Sequence, residues 1–163
     1  MDALLERIRS TLAATGADFH FIDCDSALSD TALFCQHYGY ALEDSVNTIL
    51  MKAKNGSLPY VACALLGHTR LDANHGLRKR LQARKVSFAS AEETRAITGM
   101  ELGGVTAFGL PEGLPLWVDG AVMERDTLIF GSGQRASKIV TTPAALAALP
   151  EVEVVPGLAM VLG

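Results

Sequence analysis

The sequence predicts an α/β fold of the α+β kind, a mixed and largely antiparallel sheet or partial barrel surrounded by helices, and three observations point to it. Asn55-Gly56 separates two strand patterns, Ser45 to Ala53 and Tyr60 to Leu66, which makes an antiparallel hairpin. The second of these runs is apolar throughout, so it belongs in the centre of a sheet. Short helical and strand patterns interleave over 163 residues with no linker, repeat or regular βαβ array, and one domain spanning 1–163 is the economical reading.

Along the chain, Leu4, Leu5, Ile8 and Leu12 recur at helical spacing up to Gly16, and Phe19 to Ile22 follows as a short strand. Ser29 or Asp30 is placed to cap a helix that runs through Tyr38 and stops at Gly39. After the hairpin, Asp72 is placed to cap a basic helix reaching about Ala83, and Val86-Ser87-Phe88 returns to extended structure. Ser90-Ala91-Glu92-Glu93 has the spacing of a capping box, in which the serine and glutamate satisfy each other's free amides, and Gly99 ends that helix. Gly103 to Gly109 holds three glycines in seven residues, and Pro111, Gly113 and Pro115 keep the next stretch irregular. Leu116 to Asp119, Thr127 to Phe130 and Lys138 to Val140 read as strands, and Thr142-Pro143 opens a last helix.

Composition limits the function. Hydrophobic residues at 49% and charged residues at 20% exclude a disordered or collagen-like chain, and three cysteines are too few for a disulfide framework. The longest apolar run, Tyr60 to Leu66, falls far short of the roughly 20 residues that span a bilayer. With no basic-then-apolar leader, a soluble, cytoplasmic protein without membrane contact is expected. A net charge of -4 argues against indiscriminate nucleic-acid binding. A local basic patch remains: Arg70, Arg78, Lys79, Arg80, Arg84 and Lys85 crowd one segment with Asp72 as its only acid. It is a solvated face or a phosphate-binding one.

Gly131-Ser132-Gly133-Gln134-Arg135-Ala136 matches the dinucleotide pattern G-x-G-x-x-G/A, but the β-branched residues and Pro143 that follow cannot form the helix that pattern needs. A glycine-rich hairpin turn is the local reading, with Ser132, Arg135 and backbone amides able to hold an anionic or hydroxylated ligand. Cys24, Cys35 and Cys63 and the four histidines show no metal-ligand spacing, so no metal or other cofactor is expected. No G-x-S-x-G elbow is present. His68, after Gly67 at a strand end, is the histidine best placed to meet a ligand. The loop Gly103 to Gly109 lets a ligand approach the backbone and lets amides face a carbonyl or phosphate oxygen, or else it is a plain connection.

Three segments taken together resemble the YbaK/EbsC family. They are Ser45-Val46-Asn47-Thr48-Ile49-Leu50, then Thr98-Gly99 with Leu102 to Gly109, then Asp119 with Ile129 to Arg135 and Thr142 to Leu146, and the match extends over nearly the whole chain. That family includes the inserted editing domain of bacterial prolyl-tRNA synthetases and free-standing relatives that hydrolyse mischarged aminoacyl-tRNA. The resemblance implies an editing-domain fold and trans-editing of a misacylated tRNA carrying a small amino acid, by ester hydrolysis assisted by backbone amides and the tRNA's own neighbouring hydroxyl, with tRNA(Pro) and a prolyl-tRNA synthetase as implied partners. Editing of this sort exists because a synthetase pocket discriminates poorly against smaller or isosteric amino acids by binding alone.

On the same resemblance, Gly103, Gly104, Asn47, Thr48 and Asp119 are the catalytic candidates. His68, Val105, Phe108, Ser132, Gly133 and Arg135 are the substrate-binding ones, and Arg78, Lys79 and Arg80 would touch tRNA. Asp119-Gly120 also reads as a turn dipeptide. Two positions depart from the family pattern. Asn47 stands where most members carry a lysine, and Ala107 stands where the G-x-x-x-P loop ends in proline. Lys52 should face away from Asn47, because an odd offset along a strand reverses direction. The chain is therefore expected to be an aminoacyl-tRNA deacylase or, with the charge at position 47 gone, a relative that binds tRNA or an adenosine-like ligand without hydrolysing it.

Overall fold

A computed structural model describes residues 3–162; residues 1, 2 and 163 of the expected 1–163 span lie outside it. In order along the chain come α1 (Ala3–Thr15), β1 (His20–Asp23), α2 (Thr31–Tyr38), β2 (Val46–Lys54), β3 (Tyr60–Leu66) and β4 (Thr69–Leu71). Next are α3 (Arg78–Arg80), β5 (Lys85–Phe88), α4 (Ala91–Thr98), β6 (Leu116–Asp119) and β7 (Leu128–Gly131). The chain ends with β8 (Ser137–Thr141), α5 (Pro143–Ala147), β9 (Val152–Val155) and β10 (Ala159–Val161).

The strands sort into a five-stranded sheet of order β5-β2-β3-β6-β9, a three-stranded sheet β1-β8-β7 and a pair β10-β4. β2 runs antiparallel to β3 and β5, whereas β6 runs parallel to β3 and β9, so the large sheet is mixed as predicted. The sheets do not close into a barrel among the described residues. A single bridge from Ser45 to Ile129 joins the edge of β2 to the three-stranded sheet.

Strand alternation explains why β3 is apolar at every position. Ala62, Ala64 and Leu66 face a core with Ile8, Leu12, Phe108 and Phe130. Val61, Cys63 and Leu65 face a second core with Leu77, Leu81 and Trp117. A third cluster, Phe34, Cys35 and Ile129, seats α2 on the small sheet.

Three expectations are corrected. The Asp72–Ala83 helix is instead a wide turn, Ala73–Leu77, in which the Leu77 amide reaches back to the Asp72 carbonyl at 2.9 Å, then the single turn of α3. Gly76 lies in the middle of this stretch, where glycine opposes regular helix, and Gln82 at φ 52 ends it. Asn55-Gly56 is not a two-residue turn either. Lys52 pairs with Tyr60, leaving a longer loop in which Asn55 alone has positive φ, at 55. This loop folds onto the α3 segment, where a Cβ on Gly56 would lie 3.0 Å from Ala83 Cβ. Strands β4, β9 and β10 were not anticipated, being short and carrying exposed or charged residues such as Arg70, Glu153 and Val161.

The helix boundaries follow the local chemistry. Ser90 Oγ accepts from the Glu93 amide and Glu93 Oε1 from the Ser90 amide, both at 3.0 Å, which completes the capping box. Gly39 (φ 78) and Gly99 (φ 74) end α2 and α4 in the left-handed conformation that favours glycine. Asp30 occupies the cap position of α2 without capping it, because its carboxylate turns to Arg135.

Candidate active site

A cleft of about 200 Å³ opens where the start of β2, the start of α2, the glycine loop and β8 converge. Asn47 and Thr48 enter it from β2, Gly103 and Val105 from the loop, Asp30 and Thr31 from the α2 end, and Lys138 from β8. Phe88, 66% exposed at the end of β5, and Leu102, 57% exposed, stand at its rim.

The polar groups here are only partly satisfied. Thr31 Oγ1 donates to Asn47 Oδ1 at 2.6 Å, which orients the amide and leaves its NH2 with no acceptor among the described residues. Thr48 Oγ1 is buried and has no hydrogen-bond partner. Lys138 is 6% exposed and donates through Nζ to the Ser29 carbonyl at 2.6 Å, with the Phe34 ring 5.2 Å away. Burial pushes its pKa below the ordinary lysine range.

The glycine loop and the turn after β7 are assembled backbone against backbone. The Gly133 amide donates to the Gly104 carbonyl at 2.6 Å and the Glu101 amide to the Gly133 carbonyl at 3.0 Å. A Cβ on Gly104 would lie 2.7 Å from the Gln134 carbonyl oxygen, and one on Gly131 2.7 Å from the Gly104 oxygen. Gly103, at φ 88, also lies under the Arg135 guanidinium. That guanidinium is held by Asp30 Oδ1 at 3.1 Å and by the Ser26 carbonyl at 3.2 Å. The Gly104 N–H is occupied by the Glu101 carbonyl at 2.9 Å.

Asn47, Thr48, Gly103 and Val105 line the cleft, with Gly104 and the Arg135 guanidinium beside Gly103, and the remaining candidates lie elsewhere in the fold. Phe108 is fully buried and packs edge-on against Phe130 at 4.9 Å. Ser132 Oγ closes the β7–β8 hairpin on the Ser137 carbonyl at 2.9 Å, and Gly133 packs over Ile8. Asp119 Oδ1 accepts from the Ala159 amide at 3.1 Å and tethers β10. His68 sits in the β3–β4 turn, and its Nδ1 is buried without a partner. Arg80 stacks on Trp117 at 4.7 Å and pairs with Glu153, while Arg78 Nε bonds the Asn74 carbonyl. The segment Arg78, Lys79, Arg80 therefore covers the second core and does not line the cleft.

Nucleophiles are scarce. Cys63 is buried in β3, which pushes its thiol up to about 12, and no serine or cysteine lines the cleft. No cluster of metal-ligating side chains occurs among the described residues. Ala107 is buried and lines a different cleft of about 350 Å³ with Pro111, Leu114 and Glu151. Lys52 pairs with Glu93 Oε2 at 2.9 Å and is committed there.

Sequence reasoning missed Asp30, Thr31, Phe88 and Lys138. Only Lys138 left a signal, as a lone charge at the head of the predicted strand Lys138 to Val140, before the β-branched run Ile139-Val140-Thr141.

The family model of the aminoacyl-tRNA editing domain matches residues 25–149. The chain belongs to the aminoacyl-tRNA editing domain family. As an editing domain, it shares its fold with solved structures at low identity. A candidate trans-editing enzyme for prolyl tRNA synthetase superposes with a TM-score of 0.79 at 19% identity, covering 96% of this chain and 97% of that one. A hypothetical protein gives 0.81 at 21%, covering 94% and 99%. A signal transduction protein from Marinobacter aquaeolei VT8, itself of candidate status, gives 0.67 at 16%, covering 98% of this chain and 31% of that one. No curated protein matches the editing domain in sequence.

Proposed function

We propose that the chain hydrolyses the ester of a misacylated tRNA bearing a small amino acid, with tRNA(Pro) the first candidate. The observation that carries this reading is a small cleft whose side-chain donors are unspent: the Asn47 NH2 and the buried Thr48 hydroxyl. Donors of this kind meet the need of an ester whose carbonyl oxygen gains negative charge as it is attacked.

Water adds to the ester carbonyl carbon, the developing oxyanion accepts hydrogen bonds from Asn47 and Thr48, and collapse breaks the bond to the ribose oxygen. The departing ribose oxygen takes one proton of the attacking water, the other is released to solvent, and the free amino acid leaves as its carboxylate. No protein nucleophile is required, in keeping with a cleft that holds neither cysteine nor serine. Phe88 supplies an exposed aromatic face at the rim on which the terminal adenine stacks. A cleft of about 200 Å³ has room for a small acyl group. A prolyl-tRNA synthetase is the partner that would generate such errors.

The test is deacylation of alanyl- and cysteinyl-tRNA(Pro) and of seryl- and threonyl-tRNAs. One small amino acid is expected to be released well above the spontaneous rate, and Thr48→Val should lower kcat by about 100-fold, the usual cost of one oxyanion donor. No release from any of them sinks the proposal. Asn47, which carries no charge, favours a second reading, a domain that binds the tRNA terminus without hydrolysis, and binding without release would establish it.

A further inference from the structure

We propose that Lys138 is the substrate-facing cation of this cleft, its ammonium receiving an anionic or partly anionic oxygen of the acylated tRNA terminus, either of the terminal phosphate or of the acyl carbonyl. The inference deepens the deacylase reading by assigning the charged contact of the same site.

Position comes first. β8 is the middle strand of the three-stranded sheet, so both its edges are paired and its side chains alternate between buried surroundings. Ile139 enters the main core, and Lys138 takes the opposite face, against Phe34 and into the cleft beside Asp30, Thr31 and Asn47. A strand residue that only had to fill this place would be apolar, as Val140 is on the same face.

Next is the valence of the group. An ammonium has three N–H donors, and one is used, on the Ser29 carbonyl at 2.6 Å. Lys138 has no ion pair among the described residues, because the acid closest along the rim, Asp30, is taken by Arg135 at 3.1 Å. Phe34, 5.2 Å away, offsets part of the lost hydration through its ring face but accepts no charge. A charge buried without a counter-ion is costly unless an anion arrives to pair with it. Burial already weakens the proton's hold on Lys138, which agrees with a group awaiting such a partner.

Finally, the neighbours fit an oxygen ligand. Asn47 and Thr48 line the same cleft, the Asn47 NH2 can donate to the same oxygen or its neighbour, and the buried Thr48 Oγ1 beside it has no partner. Arg135 is fastened to Asp30 and the Ser26 carbonyl, which makes Lys138 the lining cation without a carboxylate partner among the described residues.

The experiment uses two unreactive probes on the full chain. Adenosine 5′-monophosphate has the phosphate and no acyl group. 3′-Alanylamino-3′-deoxyadenosine has the acyl carbonyl on a stable amide and no phosphate. Adenosine is the blank. The Lys138 ε-methylene NMR signal of the native chain is followed with each, and the affinities are repeated with Lys138→Met and Lys138→Arg, whose melting temperatures report folding. One probe is expected to move the Lys138 signal where adenosine does not. That probe should lose about tenfold or more in affinity in Lys138→Met while adenosine binding is unchanged, and Lys138→Arg should restore part of the loss. The responding probe tells phosphate from acyl oxygen. If neither moves the signal beyond adenosine, Lys138 is only a strut under Ser29 and the proposal is overturned; the native signal decides even if Lys138→Met fails to fold. Neither probe is cleaved, so a failed deacylation panel would sink the deacylase reading and leave this assignment standing.

Discussion

Neighbouring residues on one strand point to opposite faces, yet Asn47 and Thr48 both reach the cleft, because it lies at the start of β2 where the Thr31 end of α2 wraps the edge. Phe88 does so from the end of β5. Phe88 is 66% exposed, so removing its ring costs the fold little. Phe88→Ala is expected to raise KM for aminoacyl-tRNA about tenfold with kcat nearly unchanged, the signature of lost stacking in ground and transition states alike. Steady-state deacylation kinetics check it. At this scale the sequence was legible in placement: Asn47, Thr48 and Gly103, picked out by residue type, line one cleft. It was not legible for Phe88 and Lys138, whose place at the cleft comes from the sheet edges and faces to which they are assigned. Phe108 and Ser132 show the converse, since an aromatic ring and a hydroxyl beside a glycine loop serve equally well as core and as hairpin clasp.

Among the elements, α4 is pinned to the central hairpin by Glu93, which accepts from the Ser90 amide, the Tyr60 hydroxyl at 2.6 Å and Lys52 at 2.9 Å. These contacts, the Ser90 amide foremost, hold the Glu93 carboxyl at about 2, below its ordinary 4.5. Because the folded value is depressed, the stabilisation is complete above about pH 4.5 and fades as the pH falls toward 2. Melting curves of the native chain and Glu93→Gln should differ by a constant amount at neutral pH and converge in that acid window. Gly104 gives a second test. Its missing side chain is what lets the loop dock on the 131–134 turn, so Gly104→Ala should destabilise by about 1–3 kcal/mol, read from denaturant unfolding. The capping box, the hairpin strands and the glycine stops were all readable because each is a local bargain between neighbouring residues. The α3 segment was not, since its wide turn depends on Leu77 and Leu81 anchoring in a core assembled from β2, β3 and β6.

The whole molecule is organised around a sheet covered on both faces, with the cleft at the junction between that sheet and the smaller one. The apolar centre was visible in the sequence through β3, and the α+β class through the hairpin and the interleaved helical and strand patterns. The split into three sheets depends on pairings between β1 and β8 and between β6 and β9 that are distant along the chain and leave no local trace. Phe108, near the end of the glycine loop, is fully buried and packs against Phe130. Phe108→Ala should cost about 3–5 kcal/mol in equilibrium unfolding, well above any surface change. The stack of Arg80 on Trp117 has a spectroscopic side. Trp117 is the sole tryptophan, 7% exposed on the sheet face away from the cleft, so its emission tracks loss of the folded state and stays silent when the cleft is filled. Intrinsic fluorescence is therefore a clean gauge of unfolding for every variant named above, and a dye at the rim is needed to see a ligand arrive.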